Sequence, residues 1–370
     1  MATFQKVKLG DVADMRYGTM PLKRKVGSGN YEIFSGYRYS DKYPESNCKK
    51  GDVVIVARGV GGTGDVKIAR CDCYLTNLSI QILLDHTKVN NKYFYYKYLL
   101  KTLRYLDTGS AQSQITINNL ENLQVDLPDL PTQTCIASVL SAYDDLIENN
   151  EKRIKALEEM AQLLYTEWFV KFKFPGHEKV KMVDSGTEYG MVPEGWEVVN
   201  IGDLLEIVKR KIKLQTNEYH IAGLCPIVDQ GKDFIAGYTD NEDAIYNENL
   251  IVFGDHTRCL KFCNFPFACG ADGTQLLKTN DTERMPQTLL YYSVINADIQ
   301  NYSYARHFKF LKALNILKPD MVTAKSFDKV VSQTYEQIKQ LRQQNVNAGK
   351  IRDFLIPQLV TGKRILKEYL

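Results

Sequence analysis

Residues 134–172 read TCIASVLSAYDDLIENNEKRIKALEEMAQLLYTEWFVKF. Within them Ile136, Leu140, Tyr143, Ile147, Asn150, Ile154, Leu157, Ala161, Leu164 and Trp168 follow at spacings of 4-3-4-3-4-3-4-3-4. An unbroken alternation of four and three is the heptad pattern of a helix that buries one narrow seam against a partner. Asp144, Asp145, Glu148, Glu151, Lys152, Arg153, Lys155, Glu158 and Glu159 lie between the seam positions and form a solvated face. The spacing predicts a helix over 134–172. Thr132 or Thr134 after Pro131 is the expected cap, and Pro175-Gly176 the expected stop.

A second seam stands near the end of the chain: Phe327, Val331, Thr334, Ile338, Leu341, Asn345, Ala348, Arg352 and Leu355. It predicts a helix over about 323–356 ended by Pro357. Each seam holds one asparagine near its middle, Asn150 and Asn345. A polar residue in an apolar seam costs stability and fixes register. The expectation is that the two helices pack on each other, antiparallel, as one coiled coil. Such helices span roughly 55 Å, the length of about 16 base pairs at ~3.4 Å each.

Outward from the helices the chain repeats. Val7-Lys8-Leu9-Gly10-Asp11-Val12 is matched by Val199-Asn200-Ile201-Gly202-Asp203-Leu204. Each is followed by a strand-like apolar run, 51–58 in the first half and 249–254 in the second. The order is domain, helix, similar domain, helix. The fold class expected is mixed α/β (α+β), two similar domains separated by two long antiparallel helices, a tandem repeat with a pseudo-twofold axis. The expected segments are 1–133, helix 134–173, linker 174–192, 193–322, and 323–370 with the second helix. Phe174-Pro175-Gly176, Asp184-Ser185-Gly186 and Val192-Pro193-Glu194-Gly195 make the linker read as a loop.

Composition excludes several classes. The chain has 370 residues, 44% hydrophobic and 25% charged, which is ordinary for a globular protein and unlike a disordered one. No apolar run reaches the roughly 18 residues of a membrane span, and the N-terminus lacks a secretory pattern, so a cytoplasmic protein is expected. Eight cysteines over this length do not make a disulfide framework. Cys259, Cys263 and Cys269 lack the paired spacing of structural zinc and read as buried thiols, so no metal is expected. Gly59-Val60-Gly61-Gly62-Thr63-Gly64 fits a dinucleotide fingerprint, but a strand-like segment follows where a helix is needed. A glycine-rich β-hairpin is the better reading. Asn264-Phe265-Pro266-Phe267 is similar to the Asn-Pro-Pro-Phe motif of amino-methyltransferases, but Phe265 replaces a proline and no methyl-donor glycine motif precedes it. It reads as a strand end. No Ser, His, Asp pattern supports an enzyme.

Basic residues interleave with aromatics in the first domain. Over 1–133, 18 Lys and Arg face 13 Asp and Glu, and 11 of the 18 fall within 16–70. Arg16, Lys23-Arg24-Lys25, Arg38, Arg58, Lys67 and Arg70 alternate with Tyr17, Tyr31, Phe34, Tyr37 and Tyr39. Lys and Arg reach phosphates, while Arg, Gln and Asn read base edges. Gly109-Ser110-Ala111-Gln112-Ser113-Gln114 is a polar loop of the same kind. From 193 to 320 the balance reverses, 13 basic against 17 acidic, with local clusters at Lys209-Arg210-Lys211, Asp255-His256-Thr257-Arg258 and Tyr304 to Phe310.

With these residues assembled, nearly the whole chain resembles the specificity subunit of type I restriction–modification systems. The resemblance rests on Val192-Pro193-Glu194-Gly195-Trp196-Glu197 through Gly202-Asp203, on Leu127-Pro128-Asp129-Leu130-Pro131-Thr132-Gln133, and on Leu140 to Ile154. Arg352-Asp353-Phe354-Leu355-Ile356-Pro357-Gln358-Leu359 is similar to the closing segment. In the second half the proline-rich entry is Lys318-Pro319-Asp320.

The resemblance implies two target-recognition domains, each reading half of a bipartite site on double-stranded DNA. It implies helices that set the spacer and dock two modification subunits, which methylate adenine at N6. Restriction subunits join them. S-adenosylmethionine and ATP belong to those partners, so this chain is expected to hold no cofactor, catalyse nothing and meet no membrane. By position in that frame, the expected DNA-binding residues are Arg58, Thr63, Gln112 and Gln114 in the first domain. In the second they are Thr257, Arg258, Arg306, His307 and Lys309. The expected coiled-coil positions are Ile136, Leu140, Tyr143, Ile147, Asn150, Ile154, Leu157, Leu164, Ile338, Leu341, Asn345 and Leu355. Two other readings compete: a recognition subunit outside type I systems, and a coiled-coil scaffold without DNA binding.

Overall fold

A computed structural model describes residues 4–59, 62–107, 113–270, 273–299 and 306–364. The chain divides into two compact units, one of Met1–Asn149 with Gln344–Leu370 and one of Asn150–Gln343. Each takes part of both long helices, Leu130–Tyr165 and Met321–Val360.

The two units share one plan. In the first, Gln5–Lys8 pairs antiparallel with Gln124–Leu127; in the second, Glu197–Asn200 pairs antiparallel with Asn315–Lys318. A fully buried strand lies between two antiparallel neighbours in each. Val53–Val56 sits between Val66–Ile68 and Ser79–Leu84, and Leu250–Gly254 between Leu260–Cys263 and Thr274–Leu277. Each unit also carries one parallel pair, Tyr31–Phe34 with Cys73–Leu75 and Cys225–Val228 with Phe267–Cys269. Continuous apolar runs such as Val53-Val54-Ile55-Val56 follow from burial on both faces. The repeat read from Leu9-Gly10-Asp11 and Ile201-Gly202-Asp203 is therefore a repeat of topology, with both motifs forming 3-10 turns that bury Leu9 and Ile201.

The helices follow the seams. All twelve expected coiled-coil positions are buried or half-buried, while Glu148, Glu151, Lys152, Arg153, Lys155 and Glu159 are exposed. In the first unit Ile136 and Leu140 share a cluster with Leu355, Ile356 and Leu359, and Arg352 donates to the Asp144 carboxylate. Asp144 also accepts the Tyr96 hydroxyl at 2.5 Å. In the second unit Ile154, Leu157, Ala161 and Leu164 share a cluster with Phe327, Val331, Tyr335 and Ile338, and Arg342 donates to Glu158 at 3.0 Å. Residue numbers rise along one helix as they fall along the other, so within each unit the helices run antiparallel.

Their ends differ from expectation in three ways. The first helix begins at Leu130, capped by Asp129, whose carboxylate accepts the Thr132 N–H at 2.9 Å. Thr132 and Thr134 are therefore inside it. A carboxylate just before a proline at the first helical position is the better cap, because proline has no N–H to satisfy there. The helix also ends at Tyr165 and passes into a wide turn, Thr166–Val170. Finally, Pro357 does not stop the second helix, which runs to Val360. An interior proline costs roughly 3 kcal/mol. Ile356, Leu359 and Val360 are each at most 5% exposed, and burying three such side chains returns about 1.5–3 kcal/mol each.

The expected linker is partly regular. Met182–Asp184 and Met191–Pro193 form a two-stranded hairpin, and Phe174 is buried against Trp196. Trp196 donates its indole N–H to Asp320 at 3.2 Å, which also caps the second helix through the N–H groups of Val322 and Thr323 at 2.9 and 3.0 Å. Burial pushes the Asp320 carboxyl up, but the bonds from Thr323, Trp196 and Val322 outweigh it and hold it below its usual value. Its contribution is thus present above the unfolded carboxyl pKa of about 3.9 and is lost as pH falls below it. Asp320→Ala should cost about 1–2 kcal/mol near neutral pH, and urea unfolding should show the gap from wild type closing in strong acid.

Candidate nucleic-acid interface

In the first unit the chain leaves Val53–Val56 through Ala57-Arg58-Gly59 and returns in Val66–Ile68, the expected β-hairpin. No helix follows the glycines. Val60 and Gly61 lie outside the described residues. Arg58 is exposed and bridges Gln114 in antiparallel fashion, and the Ile115 N–H donates to the Ala57 carbonyl at 2.9 Å. Asp107 fixes the arriving chain, accepting the Gln114 N–H at 2.8 Å and the Ser113 hydroxyl at 2.5 Å. Tyr37 covers the turn and donates its hydroxyl to the Arg58 carbonyl at 2.8 Å. A side chain on Gly59 would strike that hydroxyl, which is why a glycine stands there.

Arg58 and Gln114 are thus brought side by side at one end of the sheet. Thr63 is not presented with them. It is 2% exposed and its hydroxyl donates to the Gly59 carbonyl at 2.9 Å, bracing the loop from inside. Gln112 lies outside the described residues. Many of the other cations are engaged within the unit. Arg70 holds Glu32 at 3.0 Å and lies 4.0 Å over the Tyr39 ring, Lys25 pairs with Glu45 at 2.6 Å, and Arg16 donates to Gln81 at 2.7 Å. Arg58 forms no ion pair among the described residues; its guanidinium lies 6.0 Å from the Tyr17 ring.

The second unit builds the same corner with other residues. The turn after Leu250–Gly254 is tight, with the Arg258 N–H donating to the Gly254 carbonyl at 2.8 Å and Arg258 itself at φ 60°. Asp255 is the anchor. Its carbonyl accepts the His307 N–H at 2.9 Å and lies 2.8 Å from the His307 Nδ1, and its carboxylate accepts the Phe308 N–H at 2.8 Å. His307 is 2% exposed and therefore fastens the helix His307–Lys312 to the turn instead of facing outward. Arg306 and Lys309 on either side of it are exposed, as is Thr257. Arg258 is half-buried and spends its guanidinium on the Ile299 carbonyl at 3.1 Å. Tyr304 and Ala305 lie outside the described residues.

Sequence reasoning missed the braces. Asp107, Asp255 and Tyr37 hold the turns, yet each reads in the sequence as an ordinary polar or aromatic residue. Asn264, read as part of a strand end, sits in the turn before Phe267–Cys269 and donates to the Tyr335 carbonyl at 3.0 Å. Cys263 and Cys269 are buried, and burial pushes the Cys269 thiol up to about 11. Among the described residues no three His, Cys, Asp or Glu side chains gather as a metal site.

The class this defines is a tandem recognition protein: two related units, each ending its sheet in a braced turn that offers basic and amide side chains. Residues 1–159 match the type I restriction modification DNA specificity domain. Over 95% of its length the chain is 26% identical to the type I restriction enzyme MjaIX specificity subunit of Methanocaldococcus jannaschii, covering 88% of that protein. It is 34% identical over 33% of its length to the putative MjaX specificity subunit of the same organism, covering 25% of that one. The crystal structure of the S subunit of a type I system from M. genitalium shares the fold, with a TM-score of 0.60, 17% identity and coverage of 99% of this chain and 97% of that one. The chain belongs to the specificity subunits of type I restriction–modification systems.

Proposed function

We propose that each unit reads one half of a bipartite site on double-stranded DNA, and that the long helices set the unspecified gap between the halves. The observation that carries this is the duplicated corner, with the turn after the central buried strand pinned against the segment entering a short helix in both units. One head needs one such corner; a split site needs two. The helices of 36 and 40 residues supply the length for a ruler. Their outer faces support docking of two modification subunits: Met160, Leu163, Val322 and Phe354 are at least 63% exposed. Those subunits would bind S-adenosylmethionine and methylate adenine at N6, with restriction subunits supplying the ATP-driven step. This chain would position DNA and catalyse no bond change. No helix among the described residues is long and apolar enough to cross a membrane, and a cytoplasmic location fits the reading.

Binding of the assembled complex to duplex DNA, followed by fluorescence anisotropy, tests the reading. Phosphate contacts release counterions, so log K should fall linearly with log salt with a slope of about −0.9 per contact. A slope of roughly −5 or steeper is expected. Affinity independent of salt would return the scaffold reading.

A further inference from the structure

Each unit sets the loop after its parallel-paired strand against the end of its central strand. The registers make the two units comparable. Phe34 pairs with Leu75 as Val228 pairs with Cys269, and Val56 pairs with Ser79 as Gly254 pairs with Thr274. Gly36 and Gln230, each two residues beyond the strand, therefore correspond, and so do Val56 and Gly254. The small residue has changed sides. A Cβ on Gly36 would strike the Ser79 hydroxyl and come within 3.0 Å of Val56 Cγ2. A Cβ on Gly254 would strike the Thr257 hydroxyl and come within 2.9 Å of the Gln230 Cβ. In the second unit the glycine on the strand opens the space that the loop glycine leaves in the first. A carboxamide then occupies a loop position where the first unit has no side chain.

The backbone under that carboxamide is held from several directions. Thr257 donates its hydroxyl to the Gln230 carbonyl at 2.7 Å. The Asp229 carbonyl accepts the Lys261 ammonium at 2.9 Å, and the Asp229 carboxylate accepts the Gly231 N–H at 2.7 Å. Lys261 is 5% exposed, and burial lowers its pKa. Burying an ammonium among backbone carbonyls is a costly way to shape a loop, so the shape of this loop matters. The Gln230 Oε1 accepts the His256 N–H at 3.3 Å, and its Nε2 lies 2.9 Å from where a Cβ on Gly273 would stand. The carboxamide thus lies beside the turn that carries exposed His256 and Thr257.

We infer that Gln230 is a specificity-determining residue of the second unit, reading a base edge next to Thr257. This rests on the reading of the chain as a DNA-recognition subunit. A carboxamide donates and accepts at once, the pattern that matches N6 and N7 of adenine in the major groove, and a rigid backbone fixes where it does so. In the first unit the corresponding glycine removes this reader, and Tyr37 with Arg58 takes over the corner.

The test is the methylation pattern of the full chain assembled with its modification subunits, mapped by single-molecule sequencing, for wild type, Gln230→Ala and Gln230→Glu. A continuous or absent motif for wild type overturns the two-headed reading itself, and with it this inference. Given a split motif, both variants should relax one position of one half-site by roughly 10- to 100-fold, the range of a lost bidentate base contact, and leave the other half unchanged. The unchanged half reports that the complex still folds. Gln230→Glu keeps the acceptor for the His256 N–H and removes only the donor, so a merely structural glutamine would tolerate it. Unchanged preference at every position in both variants overturns the inference. So does equal loss of methylation at all sites in both, the behaviour of a brace.

Discussion

Phe327→Ala should destabilise the second unit by about 3–5 kcal/mol, the range for truncating a buried phenylalanine that leaves a cavity. Phe327 is fully buried, with its ring centroid 5.0 Å from Phe169, 6.1 Å from Trp168, 6.1 Å from Tyr292 and 6.2 Å from Tyr165. Four rings from the first helix, the turn after it and the second unit's own helix Gln287–Asn296 thus meet one side chain on the second long helix. The aromatic pairs add to the area term, about 0.5–1.5 kcal/mol each, and neighbours this rigid close a cavity poorly. Urea unfolding should show a lower midpoint at unchanged slope. Phe327→Leu, which refills most of the volume, should recover more than half of the loss. A cost below about 1 kcal/mol for the alanine variant would mean the rings are not closely packed.

Arg58→Ala should leave stability nearly unchanged and alter recognition. The side chain is exposed, pairs with no carboxylate among the described residues, and stands on a turn braced by Tyr37 and Gln114. Surface substitutions of that kind shift stability by about ±0.5 kcal/mol. A lost bidentate contact to a base edge costs about 1–3 kcal/mol of discrimination, whereas a lost phosphate contact weakens binding evenly and lowers the salt slope by about 1. Anisotropy with duplexes altered in one half-site at a time separates the two. Relaxed preference confined to one half places Arg58 on a base. Even weakening with a shallower salt slope places it on a phosphate. Unchanged binding to every duplex would remove Arg58 from the interface.

The legible and illegible parts of this chain divide by the range of the interactions. The seam from Ile136 to Trp168 could be read because its period is a local property, and the twelve expected seam positions are indeed turned inward. The duplication could be read from Leu9-Gly10-Asp11 and Ile201-Gly202-Asp203 because both turns bury the same apolar residue. Helix ends were read less well. Asp129 wins over Thr132 because a carboxylate preceding Leu130-Pro131 reaches the free N–H groups, and Pro357 is overridden by burial of Ile356, Leu359 and Val360. Readers and braces look alike in sequence. Thr63 and His307 resemble DNA-facing residues, yet contacts with Gly59 and Asp255 draw them inside. The exchange of glycine between Gly36 and Gly254 has no sequence signature, since it depends on which strands are neighbours.

The central claim is that one chain carries two reading heads at fixed separation. Genome-wide mapping of methylated adenines in cells expressing this chain with its modification subunit tests it most directly. Two short specified halves around a gap of constant length are expected. A single continuous motif would contradict the account, because only one of the two corners would then be reading DNA.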